Sequence, residues 1–288
     1  MDLVTTFSQF SHLVKSFRAN KKTVWTNCFM LPDEIEKCIF SGRMTFLSNP
    51  DDLFFFVAER GHYRLLYYTS NALPAGETVS LLSMPGGEPL LLDLVARNGD
   101  VEQMDQLIKK KWNPVGFVNY KTYIRLLLRK PFSESVEPLG NTYTANEQEF
   151  IIGTGDPSMA EEIVQLWAQC LDPFSTSLPI REEVASFIAQ GKVYYITDAR
   201  HRLCAAMLMA NQGQRATVQH VCVHPDYRRL GLGNVLMKAS MRTAGYAGVH
   251  TYLLWVDAMN HPAIQLYMSL GFEPDGLTSR QLLFASHP

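Results

Sequence analysis

Residues 221–236 read Val-Cys-Val-His-Pro-Asp-Tyr-Arg-Arg-Leu-Gly-Leu-Gly-Asn-Val-Leu. The apolar run at 221–223 predicts the end of a strand, and Pro225 predicts the turn that follows it. The i, i+3, i+4, i+7 spacing of an amphipathic helix is met by Leu232, Val235, Leu236 and Ala239. The stretch therefore predicts a strand, a basic glycine-bearing loop and a helix in direct succession.

This loop has the features of an anion site. Unpaired N–H groups and the helix dipole attract negative charge to a helix N-terminus. Gly231 and Gly233 would let the backbone approach an anion closely, while Arg228 and Arg229 supply positive charge. We expect a diphosphate as the ligand. The spacing Arg-x-x-Gly-x-Gly differs from the dinucleotide fingerprint and from the Walker loop, so neither NAD nor ATP is indicated.

Strand and helix patterns alternate on both sides of the loop. Strands are predicted at 150–153, 192–197, 203–209, 217–223, 252–256 and 279–284, and helices at 156–167, 181–189, from 232 onward and at 262–271. This alternation predicts a mixed α/β (α+β) fold with a mostly antiparallel central sheet flanked by helices.

The first half of the chain has a weaker pattern of the same kind. It predicts an amphipathic helix over residues 7–17, a hairpin at 53–58 and 63–68, and strands at 89–96 and 123–128. A further helix at 101–108 runs into Lys109, Lys110 and Lys111, interpreted as a solvated helix C-terminus. The order helix, Gly-Phe, strand occurs around Gly116 and again around Gly271, which suggests a duplication and two tandem halves.

The predicted domain boundary lies in a polar stretch that begins after Pro131 and contains Pro, Ser, Gly and Asn. We expect a first domain at 1–135, a linker at 136–147 and a second domain at 148–288.

Composition excludes several classes of protein. The 288 residues include 26 Lys+Arg and 28 Asp+Glu, for a net charge of −2, with 47% apolar and 19% charged residues. This is a globular composition without the basic excess of a nucleic-acid binder, and no apolar run is long enough to span a membrane. Five scattered cysteines without a CxxC pair predict no disulfide framework and no metal site, and the expected location is the cytoplasm.

The loop motif resembles that of the GNAT superfamily of N-acetyltransferases, in which [Q/R]-x-x-G-x-[G/A] cradles the pyrophosphate of acetyl-CoA. The resemblance implies acetyl-CoA as cosubstrate. It implies pyrophosphate contacts from Arg228, Arg229, Leu230, Gly231, Leu232, Gly233 and Asn234, and pantetheine contacts along the splayed strand from Val221, Cys222 and Val223.

A second match follows at the spacing of the same family. It reads Asn260-x-x-Ala263-x-x-Leu266-Tyr267-x-x-x-Gly271-Phe272. By resemblance, Asn260 contacts the CoA arm and the Tyr267 hydroxyl is the general acid that protonates the leaving thiolate. The resemblance covers about residues 148–284, roughly half of the chain.

The implied chemistry is acyl transfer from a thioester to an amine, which must lose a proton before it attacks. Backbone N–H groups near Val221 would stabilise the oxyanion. Family members often place Glu or His on the strand, where this chain has Thr217 and Gln219. The base therefore stays open between a water relay, Asp257, Tyr252, His250 and His220, the last of which strand alternation points away from Gln219. Cys222 is interpreted as a core residue rather than a nucleophile.

The function implied is acetyl transfer to a primary amine of a small molecule, an amino acid or a peptide. The alternatives are a non-catalytic acyl-CoA-binding or regulatory module, and an enzyme for longer acyl donors of the glycine N-acyltransferase kind. The first half, which lacks an Arg-x-x-Gly-x-Gly element, is expected to be a degenerate copy or to border the acceptor cleft. The sequence leaves open whether the protein is a monomer or a homodimer.

Overall fold

The computed structural model describes residues 1–19, 21–70, 87–129, 141–174 and 177–284. The chain forms two compact units: unit 1 contains Met1–Tyr123 and Leu277–Pro288, and unit 2 contains Ile124–Gly276. Strands β7 (Val118–Arg129) and β14 (Glu273–Phe284) each contribute residues to both units. The chain therefore leaves unit 1 once and returns to it at the end.

This division differs from the one expected from the sequence. Residues from Leu277 onward belong to unit 1, whereas the expected second domain ran through 148–288. Part of the expected linker, residues 136–140, lies outside the described residues. Its described part forms strand β8 (Thr142–Ala145), which pairs with β9 (Gln148–Gly153) and is not a linker. The polar composition of this stretch fits an exposed edge hairpin as well as it fits a loop.

Unit 1 is built on an antiparallel sheet with one parallel pair. Its strands are β1 (Asp2–Leu3), β2 (Trp25–Thr26), β3 (Met44–Ser48), β4 (Asp52–Glu59), β5 (His62–Thr69) and β6 (Leu90–Arg97). The order is β1-β3-β4-β5-β6-β14, with β5 and β6 parallel and β2 paired to β5. Its helices are α1 (Phe7–Arg18), α2 (Pro32–Phe40) and α3 (Val101–Leu107).

Strand alternation gives this sheet two apolar faces. Phe54 and Phe56 of β4 pack into the cluster that also contains Met104 of α3. Phe55, between them in the sequence, packs into the opposite cluster with Phe10 of α1. Because successive strand residues point to opposite faces, one continuous apolar strand is covered by helices on both sides.

The three-lysine run after α3 corrects one expectation. Lys109 and Lys110 are exposed, but the Lys111 side chain is fully buried. Its Nζ donates to Thr69 Oγ1 at 2.7 Å and to Asp52 Oδ1 at 3.1 Å. A π-helical turn over Ile108–Trp112 widens this helix end and turns Lys111 inward, where the carboxylate compensates its charge. Burial lowers the pKa of Lys111.

Unit 2 contains the sheet that positions the site. Its strands follow the order β7-β13-β12-β11-β10-β9-β8, where β10 is Val193–Asp198, β11 is Leu203–Gln212, β12 is Arg215–Val223 and β13 is Thr251–Asp257. The pairs from β8 to β12 are antiparallel, and β12 pairs with β13 in parallel. Its helices are α4 (Ala160–Cys170), α5 (Arg181–Ala189), α6 (Leu232–Tyr246) and α7 (His261–Ser269).

Two clusters of side chains cover the faces of this sheet. Leu236 of α6 and Tyr267 of α7 pack with Val218 on one face, and Trp167 of α4 and Ile188 of α5 pack with Cys222 on the other. The predicted mixed α/β class and mostly antiparallel sheet are confirmed. Among the described residues, no helix is both long and apolar enough to cross a membrane.

The repeated order of elements is also present in the structure. In unit 1 the amide of Phe117 donates to Trp112 O, and in unit 2 the amide of Phe272 donates to Tyr267 O, both at 3.1 Å. Gly116 and Gly271 precede the two phenylalanines with φ of +101° and +91°. This left-handed conformation favours glycine, so the two helices end in the same way.

Candidate active site

The site is a groove in which two neighbouring strands separate. β12 and β13 are parallel and pair only from Arg215 with Thr251 to Thr217 with Leu253, although β12 continues to Val223. Beyond Thr217 no described strand pairs with β12 on its β13 side. Backbone N–H and C=O groups on this side of 218–223 therefore have no strand partner among the described residues.

A β-bulge on the other edge of β12 sets this geometry. Leu208 of β11 pairs with Gln219 and Ala206 pairs with Cys222, so His220 and Val221 together oppose one residue of β11. His220 has φ of +53°, in the left-handed region. A bulge increases the local twist of its strand and ends regular pairing, which accounts for the opening on the β13 side.

The predicted anion loop lies at the end of this groove and leads into α6. Gly231 is the N-cap of α6 with φ of +77°, and neither a capping side chain nor an acidic residue in the first turn satisfies the helix N-terminus. Its unpaired N–H groups remain open to an anion. Arg228 and Arg229 precede it in the exposed loop, so the structure brings the sequence-predicted residues from Arg228 to Asn234 together.

Neighbouring side chains leave little space for a Cβ at either glycine of the motif. A Cβ on Gly231 would lie 2.9 Å from the hydroxyl of Tyr143, and one on Gly233 would lie 3.1 Å from Leu266 Cδ2 of α7. Tyr143 donates from this hydroxyl to Leu230 O at 3.2 Å and so fixes the loop. Sequence reasoning missed Tyr143 because it lies in the stretch expected to be a linker.

The second motif lies against the first through α7. Asn260 caps this helix, with its Oδ1 accepting from the Ala263 amide at 3.2 Å. Tyr267 is buried and packs edge-on against Phe272, with ring centroids 6.0 Å apart. Burial, and then the proximity of Cys222, raise the pKa of Tyr267. Its hydroxyl forms no hydrogen bond with the described residues, so it is a protonated donor available to a ligand.

Cys222 is buried, and its thiol interacts with the thiol of Cys170, the last residue of α4. The interaction with the Cys222 thiol lowers the pKa of Cys170, and the positive charge of Arg228 lowers it further. The same interaction, together with burial, raises the pKa of Cys222. The placement of Cys222 in the core agrees with its sequence interpretation, whereas nothing in the sequence indicated the pairing with Cys170.

The candidate bases differ in position and environment. His220 packs against Trp167 with the two rings tilted by 47° and their centroids 4.9 Å apart, and burial lowers the pKa of His220 to about 4, so it is a weak base. The expectation that it points away from Gln219 is wrong, because the bulge places two successive residues on one face. Tyr252 donates to Met241 O at 2.8 Å, and burial raises the pKa of Tyr252 to about 12.

His250 and Asp257 lie at opposite ends of β13. His250 directly precedes Thr251, the residue of β13 that pairs with Arg215. Val221 is six residues beyond Arg215 on β12, so at ~3.3 Å per residue His250 lies about 20 Å from Val221 along the strand direction. Asp257 is four residues beyond Leu253, the last residue of β13 that pairs with β12. Leu254 and Val256 pack beneath α6 and α7, so alternation directs Asp257 to the opposite face. Its Oδ1 accepts from the Met259 amide at 2.9 Å. Asp257 is therefore a carboxylate at the end of β13 where the two strands have separated.

A split strand pair that ends beside an open, basic helix N-terminus gives this mixed α/β protein a candidate binding groove. Residues 147–272 match the model described as the Acetyltransferase (GNAT) family. Both motifs identified in the sequence lie within this segment.

Curated relatives match short segments of the domain. The [ribosomal protein bS18]-alanine N-acetyltransferase of Escherichia coli is 46% identical over 57 residues, which are 20% of this chain and 38% of the relative. The mycothiol acetyltransferase of Thermobifida fusca is 47% identical over 53 residues, 18% of this chain and 16% of the relative. The chain thus spans less than half of the length of either relative.

Solved structures resemble almost the whole chain in fold. A GCN5-related N-acetyltransferase from Sphaerobacter thermophilus has a TM-score of 0.57 at 13% identity, covering 90% of this chain and 88% of its own. A tandem GNAT protein from the clavulanic acid biosynthesis pathway has a TM-score of 0.54 at 12% identity, covering 85% and 84%. Unit 1 therefore also has a GNAT-like fold. The described residues contain no group of three or more His, Cys, Asp or Glu able to hold a metal ion.

Proposed function

We propose that unit 2 is an acetyl-CoA-dependent N-acyltransferase that acetylates a primary amine of a small molecule, an amino acid or a peptide. The observation that carries this proposal is the groove between β12 and β13, which ends at the uncapped N-terminus of α6. An extended arm with hydrogen-bonding amides fits the groove, and a diphosphate fits the helix end.

The residues present fit this ligand. Arg228, Arg229 and the N–H groups from Leu230 to Asn234 would hold the diphosphate, and Gly231 leaves the cradle free of a side chain. Val221, Cys222 and Val223 would hold the arm through their backbone, and Asn260 at the start of α7 would contact it. Bound acetyl-CoA supplies a thioester, whose acetyl group is transferred to the amine.

Three groups of the chain have roles in moving protons and orienting the acceptor. Tyr267 donates a proton from Oη, which its raised pKa keeps protonated at neutral pH. Asp257 accepts a proton from the acceptor amine, directly or through water, because such an amine is charged below a pKa of about 10. Backbone N–H groups near Val221 face the carbonyl oxygen and stabilise its negative charge.

Two further properties are proposed with this function. The acceptor site is expected at α4 and α5. The names of the relatives suggest an alanine of a ribosomal protein and mycothiol as candidate acceptor types. All five cysteines are free thiols in the described part of the chain, which suits a cytoplasmic protein.

Titration calorimetry with acetyl-CoA, followed by a thioester-consumption assay with an amine panel, tests the proposal. The panel contains an N-terminal alanine peptide, glucosamine and free amino acids. We expect the wild type to bind and Gly231→Asp to lose binding, because the carboxylate repels the diphosphate and collides with Tyr143. Absence of wild-type binding would overturn the proposal.

Thr217 and Gln219 favour a second candidate, a non-catalytic acyl-CoA-binding or regulatory module, because neither residue is a base at neutral pH. Binding without thioester loss to any amine, with Asp257→Asn indistinguishable from the wild type, would favour this second function.

A further inference from the structure

Unit 1 contains a second strand pair with the geometry of the groove. β5 and β6 are parallel and pair only from Tyr63 with Leu90 to Leu65 with Leu92, although both strands continue. As in β12 and β13, three residue pairs are followed by separation. Separated strands leave backbone groups that need partners.

In unit 1 these partners come from the chain itself. β2 pairs with β5 at the separation, Trp25 with Thr69 and Thr26 with Tyr68. The next residue, Asn27, is buried and bridges the two strands.

The Asn27 side chain forms hydrogen bonds with three backbone groups where β5 and β6 separate. Its Nδ2 donates to Leu65 O of β5 at 2.8 Å and to Asp93 O of β6 at 3.0 Å. Its Oδ1 accepts from the Tyr67 amide at 2.7 Å. The side-chain amide of Asn27 therefore replaces the backbone hydrogen bonds between β5 and β6 directly beyond their last residue pair. An amide-bearing ligand would otherwise bind at this position.

Unit 1 also lacks two chemical features of unit 2. The sequence from 70 to 89, between β5 and β6, contains no Lys or Arg, whereas 224–250 contains Arg228 and Arg229. The equivalent of Tyr267, five residues before the Gly-Phe phenylalanine, is Trp112, which has no hydroxyl. The connecting segment therefore supplies no side-chain cation to bind a diphosphate, and Trp112 supplies no hydroxyl to protonate a leaving thiolate.

We propose that Trp25–Thr26 and Asn27 form an internal plug that occupies, in unit 1, the place of the acyl-CoA arm in unit 2. The chain consequently binds one acyl-CoA, in unit 2, and unit 1 is held closed by its own backbone. The comparison between the units rests on the function proposed for unit 2, whereas the plug itself rests on the contacts within unit 1.

Two measurements on the full-length protein test the plug. In calorimetry with acetyl-CoA, we expect one site per chain and no residual binding in Gly231→Asp. Two sites per chain, of which one is lost and one survives in Gly231→Asp, would overturn the plug and leave the proposed function intact.

Hydrogen exchange at the Tyr67 amide tests the plug without any ligand. We expect slow exchange in the wild type and at least tenfold faster exchange in Asn27→Leu, with Asn119→Leu, an exposed position in unit 1, as the matched control. Fast exchange of Tyr67 in the wild type would overturn the plug even if Asn27→Leu fails to fold. Absence of acetyl-CoA binding together with slow Tyr67 exchange would overturn only the function of unit 2.

Discussion

At the scale of single residues, the hydroxyl and the ring of Tyr267 have different roles, which one substitution can distinguish. The ring packs edge-on against Phe272, and the hydroxyl bonds to none of the described residues, so Tyr267→Phe keeps the ring packing and removes only the hydroxyl group. We expect turnover to fall about 10²- to 10⁴-fold with an unchanged acetyl-CoA dissociation constant. Steady-state kinetics and calorimetry measure the two quantities.

Tyr252→Phe is the matched control for Tyr267→Phe. It removes a buried hydroxyl from the same unit, one that donates to Met241 O. Its loss is expected to cost about 1 kcal/mol of unfolding free energy and to leave turnover unchanged. Equal turnover in Tyr267→Phe and the wild type would exclude the role of Tyr267 as the acid.

Cys170 is expected to be the most reactive of the five thiols. Its lowered pKa keeps it a thiolate at pH 7, where an ordinary thiol with a pKa of about 8.5 is mostly protonated. Iodoacetamide labelling followed by mass spectrometry should modify Cys170 first, with a rate that declines only below neutral pH. Cys28, also half-buried, is the internal reference, and preferential labelling of Cys28 at pH 7 would contradict the expectation.

At the scale of elements, the two ends of α6 make different demands on glycine. Gly231 precedes the helix at φ +77° with Tyr143 against it, and Gly248 follows it at φ +86° with no atom within 4 Å of an added Cβ. Alanine at either position costs about 1–2 kcal/mol through the left-handed backbone. We expect both variants to melt earlier and only Gly231→Ala to weaken acetyl-CoA binding. Equal affinity in the two variants would contradict a binding role for the loop.

The strands and helices of unit 2 were accessible from the sequence because their apolar periodicity is local. The bulge was not, because the displacement of His220 depends on the register between β11 and β12, which the apolar pattern of either strand alone does not reveal. Lys111 became buried for a similar reason, since its partner Asp52 lies 59 residues away in the sequence. The loop motif could be identified because its glycines and arginines follow one another, whereas its neighbour Tyr143 gives no sequence signal.

At the scale of the whole molecule, the end of the chain completes the unit in which the chain begins. β14 pairs with β6 at eight positions, from Leu277 with Arg97 to Phe284 with Leu90, and Leu282 is fully buried in the core of unit 1. A truncation after Gly276 would therefore remove a strand and a core residue from unit 1.

Hydrogen exchange of the truncated chain distinguishes this arrangement from two sequential domains. If the compact units fold as described, truncation after Gly276 should expose β6 to fast exchange while β10 of unit 2 stays slow, because β6 loses its antiparallel partner and β10 keeps both of its neighbours. Truncation after Phe284, which retains all eight pairs, should leave both strands protected. If the chain instead formed two sequential domains divided at 135 and 148, the last strand would belong to the second domain. Truncation after Gly276 would then give the reverse result, with β10 losing protection before β6.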